Sequence, residues 1–297
     1  MSESTDKSEL SLLQGRLCIL AAAVLWSLSS LFSKVLSHPT WMGLHEPKIE
    51  PLQMAFYRVF FAMLVLIPLV RKSDISFRPT MLMMGLTFAL MNAFFISAMV
   101  EGSAAKAILL QYSAPLWMYL AAIFLFKEMP THRDTVTLIL GLLGIGIIVW
   151  GDWKDNNLRI VALGLGSGIT FGGILLFLRV LRDQSSSWLT VWNHCFAVVV
   201  LSYFAAGNHW PNWSQLGWLF LFGSVQLGIP YFLMARGLRV VHPSEAGAIS
   251  LLEPVLNPIW AYLVSPGTET PKEWTYIGGV LILCGLGWRY WPRNKQG

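Results

Sequence analysis

Three ionisable side chains stand inside long apolar runs, where a charge calls for an explanation: Glu253, Arg58 and His194. A carboxylate ionised at mid-bilayer costs about 3 kcal/mol unless it is hydrated or paired, so Glu253 is expected to face the bundle interior or a wet cavity. Pro254 and Pro258 remove backbone donors beside it and leave carbonyls at Ser250 and nearby without their usual partners. Carbonyls next to a carboxylate make a site for a cationic group, and Glu253 is the first suspect for coupling to protons. The competing reading is a protonated acid bonded across helices, or a fold element at a kink. Arg58 stands about 10 Å along its run from the outer end, at about 1.5 Å per residue. It can pair with a substrate carboxylate or with Glu253, but the expected role is to snorkel outward or brace neighbouring helices. His194 can relay protons, yet a lone histidine is more commonly a satisfied structural residue.

The elements that must position these groups are membrane-spanning helices. The chain has 297 residues, 55% of them hydrophobic and 12% charged, with a mean hydropathy of +0.57. A soluble core cannot absorb that much apolar surface, whereas a helix of about 20 apolar residues crosses the hydrocarbon layer with its backbone bonds satisfied. Apolar runs predict ten spans, near 17–37, 52–70, 80–99, 104–126, 134–151, 158–180, 187–206, 215–236, 243–264 and 273–291. The first run follows Lys7 and Arg16, but it is as long as a full span and is read as one rather than as a signal peptide. Residues 1–15 are expected to form a polar, mobile N-terminal tail and 293–297 a C-terminal one. With the N-terminus inside, fourteen of the 21 Lys and Arg fall on inner segments and six, including Lys34 and Lys106, on outer ones. The positive-inside rule then places both termini in the cytoplasm, and the location expected is the inner membrane.

The sequence also repeats. At an offset of 139, Ala107, Pro115 and Ala122 fall on Ala246, Pro254 and Ala261. Two more residues in the later loop bring Glu128, Pro130, Gly144, Gly146 and Trp150 onto Glu269, Pro271, Gly285, Gly287 and Trp291. Lys34-Val35-Leu36 falls on Arg179-Val180-Leu181, Phe61-Ala62 on Phe196-Ala197, and Arg58 on Asn193. The fold expected is an all-α integral membrane protein of about ten helices in two inverted five-helix repeats, residues 16–152 and 153–292. An odd number of spans per half turns the second copy over, an arrangement suited to alternating access.

Tyr112-Ser113-Ala114-Pro115-Leu116 running to Lys127-Glu128, and Leu251-Leu252-Glu253-Pro254-Val255 running to Glu269, resemble the drug/metabolite transporter superfamily. The similarity is to its EamA-type branch, which contains the bacterial aromatic amino acid exporter, and covers Leu17 to Trp291. It departs where Ser265-Pro266-Gly267-Thr268 replaces the compact helix end at Phe126-Lys127. The resemblance implies a ten-helix basket whose central cavity is lined by the first, third, fourth, sixth, eighth and ninth helices. On those helices it makes Trp26, Asn92, Tyr112, Trp117, Gln226, Tyr231, Asn257 and Trp260 candidates for binding a flat or partly apolar solute, together with Glu253, while Arg58 and His194 join Glu253 as candidates for coupling.

The function expected is secondary transport, in the direction of export, of a small organic solute such as an amino acid. The alternative within transport is a flippase, or a carrier for lipid-linked groups or nucleotide sugars. An enzyme would need a constellation such as HExxH or a nucleophile elbow, and neither motif occurs in the sequence. A scaffold would be expected to add a soluble module or long tail. Without a GxxxxGK[ST] loop, direct ATP drive within this chain is not expected. Cys18, Cys195 and Cys284 are an odd number without CxxC spacing, so no disulfide framework or metal site is expected, and no cofactor. The net charge of +5 is scattered between apolar runs, which excludes a nucleic-acid surface. The partners expected are the solute and the lipid bilayer; oligomeric state is left open. Glycines at 141, 144, 146, 164, 166, 168, 172 and 173 are read as faces for close helix approach.

Overall fold

A computed structural model describes the backbone of residues 2–127, 129, 131–154 and 157–290. Glu128, Pro130, Trp291, Arg293 and Lys295, used above in the repeat and charge comparisons, lie outside the described residues, as does the C-terminal tail. Among the described residues there are helices and turns and no strands. In chain order the helices are α1 (Ser2–Ser27), α2 (Ser29–Ser37), α3 (Pro51–Leu66), α4 (Thr80–Glu101), α5 (Ala104–Gln111), α6 (Ala114–Phe126) and α7 (His132–Lys154). They continue as α8 (Leu158–Val180), α9 (Ser186–Leu201), α10 (Trp213–Gly223), α11 (Ile229–Gly237), α12 (Pro243–Ser250), α13 (Leu252–Val264) and α14 (Glu273–Tyr290).

Joined end to end, these give nine stretches among the described residues that are long and apolar enough to cross a bilayer, from Leu12–Ser37 to Glu245–Val264. They match nine of the ten expected spans to within a few residues. The tenth, α14, is helical but shorter, and its end turns carry Glu273 and Arg289. It lies along α7 and completes the bundle by packing. At the N-terminus α1 runs back to Ser2, so the helix of the first span continues into the polar segment before it. Once a helix is nucleated, each further residue extends it at little cost.

Four spans are broken, each for a local reason. Ser27, Ser29 and Ser30 crowd the α1–α2 junction, and the Ser27 hydroxyl donates to the Val24 carbonyl at 2.6 Å, competing with the backbone ladder. In the fourth span Pro115, and in the ninth Pro254, lack the N–H that would continue the ladder, and the helix yields just before each, at Tyr112–Ser113 and at Leu251. These two breaks are 139 residues apart, the spacing of the repeat. In the eighth span a π-helical turn, Ser224–Gly228, precedes Pro230 and accommodates its missing donor.

The halves pack on each other in matching pairs: α1 on α11 and α8 on α4, α3 on α9, α5 on α13, α7 on α14. At the last pair a Cβ on Gly144 would meet the Gly278 carbonyl at 2.5 Å, and one on Gly285 would meet the Thr137 carbonyl at 3.3 Å. Shifting by 141 residues carries Gly144 to Gly285 and Thr137 to Gly278, so this contact maps onto itself. As residue numbers rise along α7 they fall along α14, so the two last helices run antiparallel. Of the other flagged glycines, all but Gly146 serve close approach as well. A Cβ on Gly168 would lie 2.5 Å from the Leu110 carbonyl and one on Gly172 2.8 Å from that of Ala114.

Candidate functional site

Where the helices break, their freed groups and side chains turn inward. Glu253 falls in the first turn of α13, where the positive end of the helix dipole favours a carboxylate. The Tyr112 hydroxyl, from the partner break, lies 2.8 Å from Glu253 Oε2 and 2.9 Å from the Ser250 carbonyl, and donates to one at a time. The carbonyl that Pro254 leaves without a backbone donor is thus served across the helices by a tyrosine. At the α1–α2 break the Trp26 carbonyl accepts from Gln226 Nε2 at 2.8 Å. Gln226, set on the π turn, also accepts from Arg58 Nε at 3.0 Å. Arg58 Nη1 donates to Asn92 Oδ1 at 2.9 Å, and the guanidinium lies over the rings of Phe95 and Phe222, at 5.7 and 5.2 Å.

Arg58 is therefore buried and braced, 5% exposed, and does not snorkel outward. Two amide oxygens and two ring faces stabilise its charge inside the bundle, and among the described residues no carboxylate lies within 4 Å of it. Gly223 makes this possible: a Cβ there would come within 2.6 Å of the Arg58 carbonyl.

These residues surround a cavity of about 280 Å³. Its polar wall is Arg58, Gln226, Gln111, Tyr112 and Glu253, and its rings are Trp26, Tyr231, Phe95, Phe171 and Tyr290. Trp26 and Tyr231 meet edge to face with centroids 5.5 Å apart. An arginine and a carboxylate on one aromatic-walled chamber can hold a zwitterion, with the solute's carboxylate on the guanidinium and its cation on Glu253 and the ring faces.

Of the expected site residues, Trp26, Tyr112, Gln226, Tyr231, Glu253 and Arg58 come together on this wall. Asn92 stands behind it as the acceptor that holds Arg58. Trp117, Asn257 and Trp260 do not line it. Trp117 Nε1 donates to Ser113 Oγ at 2.8 Å, and Asn257 Nδ2 and Trp260 Nε1 donate to Ser29 and Ser27 at 2.7 and 2.9 Å. They fasten the broken helices to each other. His194 is also behind the wall, fully buried, its Nδ1 2.7 Å from the Thr190 carbonyl and its ring against Phe88 and Tyr231. Among the described residues no cluster of His, Cys, Asp or Glu could hold a metal ion. Phe95, Phe171 and Tyr290 escape sequence reasoning because an apolar residue facing a cavity looks like one facing lipid; Gln111, a mid-span amide, carried a signal.

The two ends of the chamber differ. Its lining reaches Gly247 and Tyr290, which touch each other, at the end where Arg16 pairs with Glu245 and Gly15 packs on Gly237. At the opposite end Lys34 and Glu269 form an ion pair of 2.6 Å, 0% and 2% exposed. Lys34 Nζ also donates to the Gly102 carbonyl at 2.7 Å, and Glu269 Oε2 accepts from the Ala104 N–H at 2.8 Å. Lys106 and Asp152 make a second buried pair at 2.5 Å. Lys34 and Lys106, counted above on the outer segments, are held inside the protein as clamps across the far end.

The pattern of the EamA-like transporter family matches the chain twice, over residues 13–150 and 158–289. An uncharacterized transporter of Archaeoglobus fulgidus is 26% identical over 246 residues, 81% of this chain and 87% of that protein. An S-adenosylmethionine uptake transporter of Rickettsia bellii is 25% identical over 80% of this chain and 82% of its own, and one of Rickettsia prowazekii 23% over 80% and 81%. A crystal structure with 15% sequence identity superposes with a TM-score of 0.62, covering 93% of this chain and 96% of that one, which shows a shared fold.

Proposed function

The chain belongs to the EamA-like transporter family and is a multi-pass membrane transporter, and from that premise we propose that it carries a zwitterionic, amino-acid-bearing metabolite through the central chamber. The observation that supports this most is the convergence of Arg58 and Glu253, with Trp26 and Tyr231, on one cavity. S-Adenosylmethionine, named for relatives, has the matching chemistry: a carboxylate, an ammonium and a sulfonium, and a flat base for the rings. The relatives whose names state a direction are uptake transporters, so export, the earlier expectation, rests on the resemblance alone and both directions enter the test below.

The mechanism proposed is alternating access by two inverted halves. Its support is the double family match, the equal spacing of the breaks at Tyr112 and Leu251, and the antiparallel, self-matching contact of α7 with α14. The form described here is closed by Lys34–Glu269 at one end and directed toward the end that holds Arg16 and Tyr290. With the basic end in the cytoplasm, by the positive-inside rule, that is an inward-facing form. Titration calorimetry on the purified protein tests the ligand class. S-Adenosylmethionine should bind, its decarboxylated analogue should lose affinity through Arg58, and Glu253→Gln should weaken the intact ligand about tenfold. Equal affinity for the decarboxylated analogue would remove Arg58 from the site.

A further inference from the structure

A second cavity, of about 380 Å³, opens between the second, seventh and eighth spans and shares Tyr231 with the central one. Part of its lining is apolar: Leu66, Leu69 and Phe232, the last two 42% exposed. The rest is polar. Ser186 and Ser187 open α9, where the first N–H groups have no partner within the helix, and Thr190 follows one turn on. Arg236 and Arg239 face them from the end of the eighth span. Arg16, Arg78, Arg159 and Arg289 each pair with a carboxylate. Among the described residues neither Arg236 nor Arg239 does.

Two uncompensated guanidiniums beside hydroxyls and helix-end N–H groups are an acceptor for a phosphate. A free phosphate would have no use for the leucine and phenylalanine wall. A lipid would, because its phosphodiester lies where spans end and its chains run along their apolar sides. We propose that this cavity binds an anionic phospholipid, its phosphate on Arg236 and Arg239 and an acyl chain along Leu69 and Phe232. The site is independent of the solute carried. Because Tyr231 is common to both cavities, the lipid abuts the wall of the transport chamber.

The test is native mass spectrometry and thermal unfolding of the full-length protein with phosphatidylglycerol, phosphatidylcholine or inorganic phosphate. Phosphatidylglycerol is expected to remain bound and to raise the unfolding temperature, while phosphatidylcholine and inorganic phosphate do neither. Arg236→Gln/Arg239→Gln should retain phosphatidylglycerol roughly thirtyfold less well, the two arginines contributing equally. Its unfolding temperature without added lipid should match the parent's. Arg182→Gln, an exposed arginine on the same end and outside the cavity lining, should bind as the parent does. Equal losses in Arg182→Gln would mean general attraction to a basic surface and would overturn the site. Stabilisation by inorganic phosphate equal to that by phosphatidylglycerol would overturn the lipid as its occupant.

Discussion

At Lys34 and Glu269 the cost of buried charge becomes measurable. Lys34→Met leaves the Glu269 carboxylate with the Ala104 N–H and no cation, which is expected to destabilise the protein by about 3–5 kcal/mol. Lys34→Met/Glu269→Met removes both charges and should recover most of that in thermal unfolding. A double variant no more stable than the single one would show that the pair is not what holds this end together. His38, just beyond the first span, adds a pH dependence. Burial, and then the Lys34 ammonium, lower its imidazole from 6.5 to about 4. The unfolded chain takes a proton near 6.5 and the native state resists until about 4, so stability falls with pH across that window and its contribution is complete above it. Thermal midpoints should be flat above pH 7 and decline from 6.5 to 4, less steeply in His38→Gln. A steeper decline in the variant would contradict the assignment. Glu253 and Arg58 were legible in the sequence as charges in apolar runs. The ion pairs of Lys34 and Lys106 were not legible, since the carboxylate partner, 235 residues away for Lys34, is placed only by the fold.

The elements were more legible than the residues on them. Hydropathy located the spans because the bilayer fixes their length, and the prolines marked the breaks because a missing N–H has one local consequence. Which face of a broken helix meets the cavity was not legible: Asn257 and Trp260 look like binding groups until the serines of the first span claim them. The glycines did announce packing, and the α7–α14 contact tests it. Gly278→Val would drive a side chain into the Gly144 carbonyl, which is backbone and cannot give way, at a cost of about 2 kcal/mol. Gly146→Ala, on α7 beside Gly144, meets nothing within 4 Å and should be neutral or stabilise by up to about 1 kcal/mol through helix propensity. Unfolding temperatures that fall equally in both would show that the contact has no special closeness.

Across the whole molecule, the buried ion pairs gather at one end, and the chamber reaches toward the other, where the pairs Arg16–Glu245, Arg78–Asp183 and Arg289–Asp134 are more exposed. In the alternating-access mechanism proposed above, Lys34–Glu269 breaks to expose Glu253 and Arg58 to the far side as the halves exchange conformations around a fixed site. The most direct measurement is counterflow of radiolabelled S-adenosylmethionine in liposomes loaded with unlabelled solute, followed in both directions, with Glu253→Gln in parallel. Saturable exchange by the parent, reduced at least about tenfold in the variant, is the result expected. Exchange that proceeds equally in Glu253→Gln, or well-folded protein that exchanges neither this solute nor any zwitterionic amino acid, would contradict the account.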